Sequence, residues 1–204
     1  IGQLTELRMI ELATMPGLVG TIPIQLCSLT NLRRLCICRC GMKGRIPTQI
    51  GDLIKLEELQ LFGNSFTGVI PNSMSALSCL RLLSLGEYTG GNHFTPGPLP
   101  SSLSSLTSLE ALFMANCNIT GNLPLWLSRL TELRQLDLQR NSLNGTIPEN
   151  IGALQNLLYL NLKDNNELTG CLPVEELGKL TKLNRLSLVH CRFVDVENSV
   201  IDIQ

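Results

Sequence analysis

The sequence predicts an α/β repeat protein: a right-handed solenoid of about eight stacked 24-residue coils. A parallel β-sheet would line its inner curve, with short strands, turns and 3₁₀ segments outside. Three observations carry that prediction: a recurring Leu-x-x-Leu pair, a Leu-x-Leu alternation after it, and a Gly-x-Ile/Leu-Pro tail closing each unit.

The pairs open at Leu4, Leu29, Leu53, Leu77, Leu106, Leu130, Leu154 and Leu180. By subtraction the gaps are 25, 24, 24, 29, 24, 24 and 26, so one period runs through the chain in eight units, the last incomplete. Leu136 and Leu138 typify the alternation of a short strand with one buried face. Next comes an inward-turning column of Met15, Cys40, Asn64, Asn92, Cys117, Asn141, Asn165 and Cys191. Asn there can bond the backbone groups that a turn exposes, and Cys offers a weaker S–H donor in the same space. The tails run from Gly20…Pro23 to Gly170…Pro173. Gly supplies backbone freedom at the bend, and Pro suits the start of a short outer helix. One unit cannot bury its own apolar edge, whereas stacked neighbours can.

In full, the unit reads Leu-x-x-Leu-x-Leu-x-x-Asn-x-Leu-x-Gly-x-Ile-Pro. It resembles the plant-type subclass of leucine-rich repeats, as in receptor-like kinase ectodomains and polygalacturonase-inhibiting proteins. The resemblance covers residues 1–194, the expected array. Residues 86–98 hold an insertion, and 195–204 form a divergent C-terminal cap or tail in which Val196, Val200 and Ile201 would cover the last coil. The resemblance implies a binding surface on the concave face. It does not imply a particular ligand, because one fold hosts many functions.

Composition narrows the partner. The chain is 44% hydrophobic but only 4% aromatic, so Leu and Ile must build the core. A net charge of −1 and the absence of a Lys/Arg run argue against nucleic acid, which demands a basic patch. No apolar stretch approaches the ~18 residues of a membrane span. Beginning at Ile1 in mid-pattern, the chain is expected to extend upstream.

Of the eight cysteines, Cys27, Cys79 and Cys171 fall in columns different from one another. Cys40, Cys117 and Cys191 share one but lie three coils apart, roughly 14 Å at the strand spacing, too far to bridge. Free thiols are therefore expected. With the cap cysteines of extracellular members absent, they favour a cytoplasmic location, extracellular being the alternative. Cys36, Cys38 and Cys40 cluster, but no His or carboxylate completes a metal site, and no cofactor motif occurs.

Side chains between the strand leucines face the hollow. Arg34, Cys36, Cys38, Glu58, Phe62, Leu82, Phe113, Asp137 and Tyr159 are the expected contacts there. Coils two to five look apolar through Cys36, Cys38, Phe62, Leu82, Ala111, Phe113 and Ala115, while coils six and seven turn polar. An apolar patch beside a polar zone is the pattern of a protein-binding surface. The insertion would bulge beside it and offer Glu87, Tyr88 and His93, with Phe94 in the core. Catalysis is not expected. His93 and His190 are four coils apart without a nucleophile and acidic partner, and Asp137 and Asp164 read as solvated surface charges.

The expected function is protein recognition, cytoplasmic or within a larger protein. The alternative is an extracellular receptor ectodomain or enzyme inhibitor, and self-association could use the same patch. A carbohydrate-binding array would show polar and aromatic ladders, which these columns lack.

Overall fold

Each Leu-x-Leu segment forms an inner strand because its leucines point between neighbouring coils while its intervening residues point out. The computed structural model describes residues 1–89 and 91–194. The expected cap over 195–204 lies outside the described residues. Eight parallel strands build the inner sheet in chain order: Met9–Ala13, Arg34–Cys38, Glu58–Gln60, Leu82–Ser84, Ala111–Phe113, Gln135–Asp137, Tyr159–Asn161 and Arg185–Ser187. The register stacks Leu35, Leu59, Leu83, Leu112, Leu136, Leu160 and Leu186 in one file. From Leu35 to Leu160 these side chains are buried to 1% exposure or less.

The inward column ties coil to coil. Asn64 donates its amide to the Ile37 and Leu61 carbonyls at 2.7 and 3.0 Å, while its Oδ1 accepts from the Cys40 and Met42 backbone N–H groups. Asn92, Asn141 and Asn165 repeat the arrangement. Where Cys stands instead, only a weak S–H bond forms, as from Cys117 to the Ala115 carbonyl at 3.5 Å.

The residue before this column turns left-handed at Thr14, Arg39, Gly63, Asn116, Arg140, Asp164 and His190, with φ between 50° and 67°. The fourth coil is the exception. There the insertion remakes the turn, and an antiparallel bridge between Gly86 and Gly91 closes a small loop.

The tails form two four-stranded outer sheets: Val19–Gly20, Gly41–Arg45, Ser65–Gly68 and His93–Phe94, then Thr120–Asn122, Ser142–Gly145, Glu167–Cys171 and Arg192–Val194. They separate where the insertion lengthens the fourth coil, leaving a single bridge from Gly97 to Ile119. Prolines 23, 47, 71, 100, 124 and 148 each precede a five-residue 3₁₀ segment. The seventh coil substitutes one α-helical turn, Val174–Gly178, whose first-turn Glu175 and Glu176 suit a helix N-terminus.

Candidate functional site

On the concave face, the fourth and fifth coils carry small residues where their neighbours carry large ones. Ser84, Gly86, Ala111 and Ala115 are all buried, forming a low floor. Half-buried Phe62, Leu82 and Phe113 stand around it. Gly86 is required there: a Cβ would lie 1.9 Å from the Ala115 carbonyl oxygen and 2.5 Å from Cys117 Sγ. A depression of about 330 Å³ lies at one edge of this floor, lined by Leu82, Ala111 and Gln135 together with the charged Glu57, Glu58, Arg81, Glu110 and Arg134.

One edge of the sheet is a charged row. The residue after each second Leu gives Arg33, Glu57, Arg81, Glu110 and Arg134, alternating in sign on successive coils. Arg33 pairs with Glu57, Arg81 donates to Glu110 at 2.8 Å through Nε, and Arg134 approaches Glu110 at 3.8 Å. Inside it, Arg34 faces Glu58 at 3.4 Å.

The inserted loop walls the opposite edge. Arg39 of the second coil grips Glu87 through two hydrogen bonds of 3.0 and 2.8 Å. Arg140 of the sixth coil lies 3.8 Å from the Tyr88 ring centroid and donates to the Tyr88 hydroxyl and carbonyl oxygens at 2.9 and 3.2 Å. Gly63 makes room beneath: its φ is +67°, and a Cβ there would meet Glu87 Oε1 at 2.6 Å.

Coils six to eight are polar. The Asp137 carboxylate, 9% exposed, accepts from the Gln139 backbone and side-chain N–H groups at 3.0 Å, Asn161 at 3.1 Å and the Tyr159 hydroxyl at 3.4 Å. Burial raises its pKa, and those hydrogen bonds oppose the rise. Arg185 sits 5.3 Å from the Tyr159 ring centroid. Asp164 joins Arg140, 3.5 Å away, to His190.

Burial pushes the Cys191 thiol, next to His190, up to about 11 and Cys117 up to about 12. No cluster of metal-ligating side chains occurs among the described residues.

A family model described as a leucine-rich repeat region matches residues 1–143. The chain belongs to the leucine-rich-repeat family. Its plant-type character extends to solved structures. The plant peptide hormone receptor RGFR1 in complex with RGF2 is 28% identical with a TM-score of 0.85, covering 95% of this chain and 30% of that one. The Arabidopsis receptor kinase HAESA, in complex with the peptide hormone IDA and the co-receptor SERK1, is 38% identical with a TM-score of 0.81, covering 86% and 29%. A TDR receptor is 31% identical with a TM-score of 0.81, covering 95% and 33%. The chain thus spans about a third of the length of these receptor chains. Among curated protein sequences nothing matches it.

Against this leucine-rich-repeat frame, several sequence expectations need correction. Cys36 and Cys38 are bonded to each other and buried, rather than free surface thiols. Alternation puts them on one side of their strand with Cα atoms 5.7 Å apart. The compartment argument loses that pair, although Cys27, Cys40, Cys79, Cys117, Cys171 and Cys191 are free. Ala111 and Ala115 are floor, not exposed patch. Asp137 is a buried acceptor rather than a solvated charge, and His190 does have an acidic partner in Asp164. His93 lies in an outer strand paired with Thr67, away from the concave sheet. Phe94 is buried, as expected. Sequence reasoning missed the Arg33–Arg134 row, although its signal was legible at one fixed position in five successive units.

Proposed function

We propose that this leucine-rich-repeat array is a recognition module without catalytic function, binding an extended segment of a protein or peptide partner on its concave face. The observation that carries the reading is the small-residue floor bounded by Phe62, Leu82 and Phe113, between the charged row and the pinned loop. Half-buried aromatic anchors standing around a packed floor are where binding energy concentrates when a partner excludes water from them. The similarity to receptors solved with peptide hormones favours a peptide and an extracellular receptor setting, and a Cys36–Cys38 bond accords with an oxidising compartment.

The test is affinity capture with the native array and with the Phe62→Ser/Phe113→Ser variant, whose fold is checked by circular dichroism. Both rings are half-exposed, so the variant is expected to fold. A ligand retained by the native chain and lost by the variant supports the reading. Equal retention by both would remove the site from this face.

A further inference from the structure

Resting on the extracellular setting of that reading, we propose that Asn144 accepts an N-linked oligosaccharide, and that Asn118 stays bare in the folded protein. The chain holds two Asn-x-Ser/Thr signatures, Asn118-Ile119-Thr120 and Asn144-Gly145-Thr146. Such a signature marks an acceptor in a secreted protein, and the fold has to leave room for the sugar it receives.

Exposure does not separate the two, since Asn118 is exposed and Asn144 half-buried. What their amides do separates them. Asn118 stands at a left-handed φ of 57°, next to the Ile119 that bridges to Gly97 where the outer sheets part. Its Nδ2 donates to the Phe94 carbonyl at 3.0 Å, and its own carbonyl accepts from the Gly97 N–H at 3.4 Å. The side chain thus ties the fifth coil to the fourth where strand pairing is reduced to one bridge. A sugar on that Nδ2 would be carried into the seam.

Asn144 lies in the outer strand Ser142–Gly145, next to buried Leu143, so alternation turns it away from the core. Its register partners Asn122 and Glu167 are both exposed, and among the described residues its side chain has no hydrogen-bonded partner. Gly145 bends the chain at a φ of +69°, and Thr146 follows it fully on the surface side. This strand belongs to a different sheet from the concave floor, so a glycan here leaves the recognition surface open.

In the transfer, Asn144 Nδ2 bonds to the anomeric carbon of an oligosaccharide carried on a lipid pyrophosphate. The bond from that carbon to the pyrophosphate oxygen breaks, the leaving group takes the electron pair, and the amide gives up one proton. The sugar joins a chain that is not yet folded, so the fold selects afterwards. With sugar on Asn144 the coils stack unhindered; with sugar on Asn118 the fourth and fifth coils have to close around it.

The test is secretion of the 204-residue chain, behind a cleavable leader, from a eukaryotic host that glycosylates. The folded product is digested and treated with peptide N-glycosidase, which leaves an aspartate where a sugar stood, and its peptides are read by mass spectrometry. Sugar is expected on Asn144 and not on Asn118. Asn144→Gln and Thr146→Ala should each remove it entirely, while Asn118→Gln leaves it unchanged. A folded product bare at Asn144, sugar on Asn118, or sugar surviving Asn144→Gln would overturn the inference. The leader supplies the compartment, so these outcomes judge the acceptor alone. The capture experiment with Phe62 and Phe113 judges the recognition reading separately.

Discussion

At the scale of single residues, burial and partners decide behaviour that residue type leaves open. Asp137 and Asp164 lie in adjacent coils yet shift in opposite directions. At Asp137 burial dominates, so the native state holds its proton more tightly than the unfolded chain does. Its contribution to stability therefore falls as pH rises from the ordinary Asp range through the raised native value. At Asp164 burial also pushes upward, but the His190 hydrogen bond, Lys163 and Arg140 together outweigh it. That contribution is present above the ordinary Asp range and is lost as pH falls through the lowered native value. Carboxyl-carbon NMR titration should place Asp137 above and Asp164 below the ordinary value of about 3.9; a reversed order would contradict the assignment. Gly86 gives a second prediction. With backbone 1.9 Å from where a Cβ would sit, Gly86→Ala has to displace the fifth coil. We expect a loss of about 2–4 kcal/mol in urea unfolding. An unchanged midpoint would mean that the fourth coil does not sit so close to its neighbour.

At the scale of elements, two devices hold the site. Asn64, Asn92, Asn141 and Asn165 each fasten their coil to the one before. Asn165, fully buried, donates to the Leu138 and Leu162 carbonyls at 3.0 and 2.8 Å and accepts from the Leu143 N–H at 3.0 Å. Asn165→Ala leaves those groups without partners and should cost about 2–4 kcal/mol, measured by chemical denaturation. The inserted loop is held differently, by Arg39 and Arg140 at the surface. Exposed ion pairs contribute little to global stability, typically below ~1 kcal/mol. The Arg39→Ala/Arg140→Ala variant should therefore keep its melting temperature while amide exchange accelerates at Glu87, Tyr88 and Gly91. Unchanged exchange there would show that other contacts set the loop. This difference explains what was legible. The strands, the tails, the Asn column and the burial of Phe94 follow from periodicity, because each depends on position within a unit. The Arg39–Glu87 and Arg140–Tyr88 contacts join residues 48 and 52 apart through a non-periodic loop, and no column predicts them.

At the scale of the whole molecule, contacts outside the inserted loop are local to neighbouring coils, so the array is a quasi-one-dimensional stack whose inner sheet serves as a continuous surface. Which side of the coil carries function was legible, because alternation assigns every inner-strand residue to core or hollow. How deeply each hollow-facing residue sinks was not. Cys36, Ser84 and Ala111 occupy outward positions and are nonetheless buried beneath larger register neighbours such as Gln60, Phe113 and Leu82, and Asp137 and Asn161 are buried while hydrogen-bonded to each other. The relief that results, a floor bounded by Phe62, Leu82 and Phe113 between the charged row and the pinned loop, is what the functional reading depends on. It is tested most directly by the hydrogen-exchange footprint of a ligand captured by the native chain. The account predicts protection on the inner strands of coils three to five and on the loop at Glu87 and Tyr88, with the outer strands unaffected. Protection confined to the outer strands or the 3₁₀ segments would contradict it.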